Sequence, residues 1–183
     1  MNIKTMILTP NSFSRPCKKL LSVKGIVIHW IGNAMTSALM NRNYFEGLKK
    51  QRASTNSRYA SAHFIVGLEG EIIQCLPIDE WAYHVGSRQY TDIALRNLSS
   101  YPNNCTLGIE MCHPDWSGKF NSETLESAIK LTATLLKQFN LTPYDVYRHY
   151  DITWKNCPRY FVENDSAFFD FRKEVERYLI KIK

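Results

Sequence analysis

The apolar positions of this chain fall into two kinds of pattern. Residues 24–30, Lys-Gly-Ile-Val-Ile-His-Trp, hold a continuous β-branched run, which predicts a strand buried on both faces. Gly32-Asn33 then turns the chain. Leu39, Met40, Tyr44, Phe45 and Leu48 recur near helical spacing and predict a helix over 37–52. Residues 52–61, rich in Ser, Arg and Asn, read as a loop. Two short apolar segments, 62–67 and 71–76, flank Leu68-Glu69-Gly70 and predict a hairpin that Pro77 ends. Residues 78–104 are irregular apart from a short helix over 92–98, and 105–111 form another strand. A loop over 114–118 follows. Asn121 or Ser122 caps the strongest helix, with Leu125, Ala128, Ile129, Thr132, Leu135, Leu136 and Phe139 on one face. A strand over 144–150 and a helix over 167–180, with Phe168, Phe171, Val175, Tyr178 and Leu179 inward, close the chain. The order β-α-β-β-β-α-β-α predicts a single α/β domain, a central mixed β-sheet flanked by helices.

Composition narrows the class without naming a function. A length of 183 residues suits one domain, and 44% hydrophobic with 13% aromatic residues excludes disorder. No apolar run reaches the roughly 18 residues of a membrane span, so no membrane insertion is expected. The first 17 residues lack a basic start followed by a long apolar stretch, so no ordinary secretory signal is expected either. Five cysteines without close pairs argue against a disulfide scaffold, and Cys17, Cys75, Cys105 and Cys112 are expected to be reduced. The net charge of +6 favours an anionic partner, although the basic residues are scattered and fit a solvated surface equally well. With no helix-turn-helix signature, zinc finger or basic stripe, no nucleic-acid partner is expected.

Candidate chemistry gathers at strand ends. His29, Glu110 and His149 each stand near the end of an expected strand, where ligand sites of open sheets usually lie. Cys157 follows His149 by eight residues. Two imidazoles and a thiolate are sound zinc ligands, and three protein ligands with one open position describe a catalytic zinc. Spacing alone does not choose between that site and two packed imidazoles with a buried thiol. Cys112 lies two residues from Glu110 and is expected on the same face of its strand.

The order of the segments adds to this. Val27-Ile28-His29 is followed by Ser61-Ala62-His63-Phe64 and the hairpin strand Gly70 to Gln74. Then come Trp81-Ala82-Tyr83-His84-Val85-Gly86, Leu107-Gly108-Ile109-Glu110, Arg148-His149-Tyr150-Asp151 and Lys155-Asn156-Cys157-Pro158. This series resembles the type 2 N-acetylmuramoyl-L-alanine amidases, which include phage endolysins, bacterial autolysins and peptidoglycan recognition proteins. The resemblance runs from about Val23 to the last helix. It implies zinc bound by His29, His149 and Cys157, a catalytic Glu110, and Lys155 as the basic residue that stabilises an oxyanion. It places His84 on the substrate groove and leaves His63 open between lining the groove, supporting the site and packing. Another branch keeps a tyrosine immediately before the hairpin histidine; here that position is Ala62, which puts more demand on Glu110. Non-catalytic members typically lack the third ligand, which this chain keeps.

The expectation is therefore a zinc-dependent amidase domain over 23–183, with 1–22 as an extension packed on it. Its substrate would be the bond between the lactyl group of muramic acid and the L-alanine of the stem peptide. Expected partners are peptidoglycan and, through the basic surface, anionic cell-wall polymers, with the protein a monomer. It would act on the wall after lysis, holin release or non-standard export. The rivals are a peptidoglycan-binding module without turnover and a Cys-His peptidase with Cys157 as nucleophile and His149 as base. The peptidase ranks lower because the sequence around Cys157 shows no helix N-terminus to lower its pKa.

Overall fold

The structure, a computed structural model, describes residues 1–182. Six strands form one mixed sheet: β1 (Ile3–Thr5), β2 (Gly25–Trp30), β3 (Phe64–Val66), β4 (Ile72–Gln74), β5 (Thr106–Met111) and β6 (Val146–Arg148). Their spatial order is β1-β4-β3-β5-β2-β6. Only the β3–β4 pair is antiparallel, as the short turn at Gly70 requires; every other pairing is parallel. Gly70 sits there at φ +77°, a backbone region that glycine enters without steric cost.

β2 and β5 are adjacent interior strands; β2 carries the continuous run Ile26-Val27-Ile28, whereas β5 alternates Leu107, Ile109 and Met111 with Thr106, Gly108 and Glu110. Their alternation assigns the two faces. Ile26, Ile28, Leu107, Ile109 and Met111 point to one side, into a core closed by α3 (Ser122–Gln138) and α6 (Asp165–Ile182). Asn121 caps α3 by accepting from the Thr124 N–H, and its own amide donates to Leu68 O of the hairpin. The buried stripe of α3 centres on Ala128, Leu131, Thr132 and Leu135, so Leu125, Ile129 and Phe139 are only partly covered. Val27, His29, Gly108 and Glu110 point to the other side. That face is covered at its flanks, by α1 (Ala38–Gly47) over β3 and β4, and by α2 (Asp92–Asn97) with α4 (His149–Thr153) near β6. Its middle stays open.

Three local elements differ from the sequence-based expectation. β1 pairs with β4 and makes the first residues part of the sheet. Arg15 adds a bidentate contact to Glu80, at 2.8 and 3.0 Å, that ties this segment to the loop after β4. The strand expected over 144–150 stops at Arg148, and His149 opens α4 instead. Asp151 accepts from the Arg148 N–H at 2.7 Å and pairs with its guanidinium, which turns the chain into that helix. Finally, α5 (Arg159–Glu163) begins two residues after Cys157, where no helix N-terminus was expected.

All five cysteines are free thiols, four of them buried and Cys17 exposed. No helix among the described residues is long and apolar enough to cross a membrane.

Candidate metal centre and active-site groove

The open middle of the sheet is the floor of a groove of about 1340 Å³. His29, Glu110, His149, Cys157, His84 and Lys155 all line it. The walls carry Met40 and Tyr44 from α1, Arg58 and Tyr59 from the following loop, and Tyr83 and Tyr101.

Parallel register places His29 beside Glu110 on adjacent strands. His149 reaches the same point from the first turn of α4, its ring 4.7 Å from that of His29 in an edge-on arrangement. Cys157 is drawn in because its carbonyl accepts from the Tyr150 N–H at 2.9 Å, pinning the loop to α4. Its Sγ lies 3.7 Å from His29 Nδ1. One ligand atom from each of His29, His149 and Cys157 can be chosen so that all three lie within 4.8 Å of one another.

The electrostatics of this cluster suit a cation. Burial holds His29 well below the usual imidazole range, helped by His149 and His84, and holds His149 down at about 3. Both imidazoles are therefore neutral, the form that ligates metal. Burial pushes the Cys157 thiol up to about 12, with the Glu110 charge adding to it, and pushes the Glu110 carboxyl up to about 8 against the pull of Lys155. His149 Nδ1 and Glu110 Oε2 are buried without a hydrogen-bond partner. A neutral donor set of two imidazoles and a thiol, with an orphaned nitrogen, fits a zinc ion whose charge would ionise both acids. The same burial leaves Cys157 a poor nucleophile by itself, and the short helix after it does not offset that cost.

His84 lies on the groove wall, but its ring is engaged: Nδ1 is 3.0 Å from His29 Nε2. Gly108 opposite it admits no side chain, since a Cβ there would sit 2.7 Å from His84 Nδ1. His63 does not line the groove. It is fully buried below, where Nδ1 accepts from the Gly108 N–H at 3.0 Å and Nε2–H donates to Glu80 O at 2.8 Å. With both nitrogens bonded to the backbone, its geometry supports the packing alternative rather than substrate contact. Lys155 is exposed at the groove edge. Cys112 shares the Glu110 face, but its thiol is buried against the Asn41 amide at 3.7 Å. His113 lies in the loop after β5, is buried, and stacks on Trp30 at 4.7 Å. Thr106 and Asn103, both buried near His84, carry no motif. The alternation Thr106, Gly108, Glu110 in β5 was the available signal for Thr106.

His63 yields a metal-independent prediction. Burial lowers its pKa from 6.5 to about 4. Between those values the unfolded chain binds a proton that the folded chain refuses, so stability is full above pH 6.5 and falls toward pH 4, by about 3 kcal/mol from this group. Urea unfolding with chelator present should show a smaller loss between pH 7 and pH 4 in His63→Gln than in the parent. An equal loss would remove His63 as the cause.

The profile of the N-acetylmuramoyl-L-alanine amidase family matches residues 19–160. A probable N-acetylmuramoyl-L-alanine amidase of Bacillus licheniformis is 37% identical over 169 residues, 92% of this chain and 46% of that protein. The amidase BlyA of Bacillus subtilis (strain 168) is 36% identical over 91% of this chain and 44% of its own length. The chain thus spans under half the length of these relatives. Among solved structures, the PlyG catalytic domain superposes with a TM-score of 0.76 at 18% identity, covering 98% of this chain and 96% of that one. PlyL superposes with a TM-score of 0.73 at 20% identity, covering 96% and 98%. Those two likenesses concern the fold; the profile match and the curated relatives show that this chain belongs to the N-acetylmuramoyl-L-alanine amidase family.

Proposed function

We propose that this chain is a zinc-dependent N-acetylmuramoyl-L-alanine amidase that hydrolyses the amide between the muramic acid lactyl group and L-alanine in peptidoglycan. The observation that carries the reading is the cluster of His29, His149 and Cys157 on the floor of an open groove, with the unpartnered Glu110 carboxyl beside it. His29, His149 and Cys157 would hold the zinc. When bound, zinc supplies Lewis-acid polarisation of a carbonyl and lowers the pKa of a water.

The chain's own residues do the rest. Glu110 accepts the proton of the attacking water and passes it to the departing alanine nitrogen, a role suited to a carboxyl whose neutral form burial favours. Lys155 offers an ammonium to the negative charge that develops on the carbonyl oxygen. The aromatic and Met side chains of the walls cover the flanking parts of the substrate. Apart from Glu110, the charged side chains lining the groove are Arg58 and Lys155, both cationic, which suits an anionic wall fragment.

Purified cell walls test this directly. Incubation should release stem peptides with new L-alanine N-termini, cease with chelator and resume on zinc addition. Wall binding without release would favour a recognition module. Chelator-resistant release that thiol alkylation abolishes would favour a cysteine peptidase.

A further inference from the structure

We propose that Thr106 and His84 form a hydrogen-bond relay that fixes His29 in a single tautomer, with Nδ1 as its metal-facing nitrogen. The inference rests on the metal reading above and deepens it by giving His84 and Thr106 a positioning role.

The relay can be read from its fixed end. Thr106 Oγ1 lies 2.7 Å from Pro102 O. A carbonyl cannot donate, so the one hydroxyl proton of Thr106 lies in that contact. Thr106 Oγ1 is then only an acceptor toward His84 Nε2, 3.1 Å away, and His84 must carry its proton on Nε2. A neutral imidazole has one N–H, so His84 Nδ1 is an acceptor. His29 Nε2, 3.0 Å from it, must therefore donate. That leaves the lone pair of His29 on Nδ1, the nitrogen that faces Cys157 Sγ at 3.7 Å.

Both rings are buried and neither hydrogen-bonds to a carboxylate, so a second proton on either would be a buried charge without a partner. The relay is also held mechanically. Asn103 Oδ1 accepts from the backbone N–H groups of His84 and Val85, at 3.2 and 2.9 Å, and fixes the His84 segment. Gly108 leaves the space that the His84 ring occupies.

The consequence is preorganisation. A metal-ligating histidine whose other nitrogen donates to a defined partner presents the correct lone pair without prior rearrangement. The relay ends on the neutral Pro102 carbonyl, so it orients His29 without adding charge to an already buried site.

The test uses the full chain with 15N-labelled histidine, metal-free, in long-range 1H–15N correlation spectra at pH 7.5. His29 should appear protonated at Nε2 and unprotonated at Nδ1. In Thr106→Val both His29 tautomers should be populated, and zinc affinity by chelator competition should fall about 10- to 100-fold, the usual effect of losing an outer hydrogen-bond partner. Thr106→Ser retains the hydroxyl and should restore both readouts, which a purely packing role for the threonine methyl would not. A wild-type His29 protonated at Nδ1 overturns the proposal, and needs no variant to fold. So does Thr106→Val with unchanged tautomer and affinity. If the wild type binds no zinc, the metal reading fails, while the tautomer spectrum still decides the relay.

Discussion

Glu110→Gln should lower release of stem peptides from purified walls by about 10²–10⁴-fold while zinc content stays near that of the parent. The magnitude is the usual contribution of a positioned general acid–base group. The substitution keeps the shape of the side chain and its place beside His29, but removes its capacity to take a proton from water. It leaves the three proposed ligand atoms untouched, which is why metal content and activity should separate. Burial has two opposing consequences here. It raises the carboxyl to about 8, strengthening it as a base once ionised, but disfavours that ionised form until positive charge is near. Lys155 supplies part of that charge. Undiminished turnover in the Glu110→Gln enzyme would remove Glu110 from the chemistry. Loss of zinc together with activity would instead make it a structural support of the site.

Cys157→Ala should have the second large effect: zinc per chain falling from about one to little, and activity with it. Removing one of three protein ligands should cost more than the roughly 10- to 100-fold attached to outer-shell partners. What remains is two neutral imidazoles, whose protonation burial already opposes. The thiol is small and buried, so its loss leaves only a minor void, and the fold should persist. Thermal unfolding provides the independent reading. Zinc at about 100 times its Kd stabilises by about 2.7 kcal/mol, or roughly 5–10 °C in a domain of this size. The parent should show that rise on zinc addition and Cys157→Ala should not. A variant that kept its zinc and its thermal response but lost activity would turn the reading toward Cys157 as nucleophile.

The parts of the fold that were legible in sequence are those whose burial is decided by their own periodicity. β2 is an interior strand whose run Ile26-Val27-Ile28 is continuous, and β5 beside it alternates Leu107, Ile109 and Met111 with Thr106, Gly108 and Glu110. α3 and α6 pack together on one face of the sheet and each buries a single apolar stripe, which suffices to reveal them. β1 was not legible, because a three-residue edge strand is specified by its ladder to β4 and not by a pattern of its own. His149 was placed on a strand because the turn at Arg148 depends on Asp151, a side chain–backbone contact with no apolar periodicity.

The sequence by itself determined the α/β class, the residues available for chemistry and the family resemblance that groups them. The tertiary structure decided what each of those residues can do. It brought His29, His149 and Cys157 together across 128 positions of chain. It left Glu110 Oε2 unpartnered in the groove floor and tied His63 to the backbone of Gly108 and Glu80. It also turned His84 toward His29 and Thr106. The physical reason is that protonation state, tautomer and ligand geometry are set by burial and by partners distant in sequence, whereas periodicity reports only which side of an element faces the core.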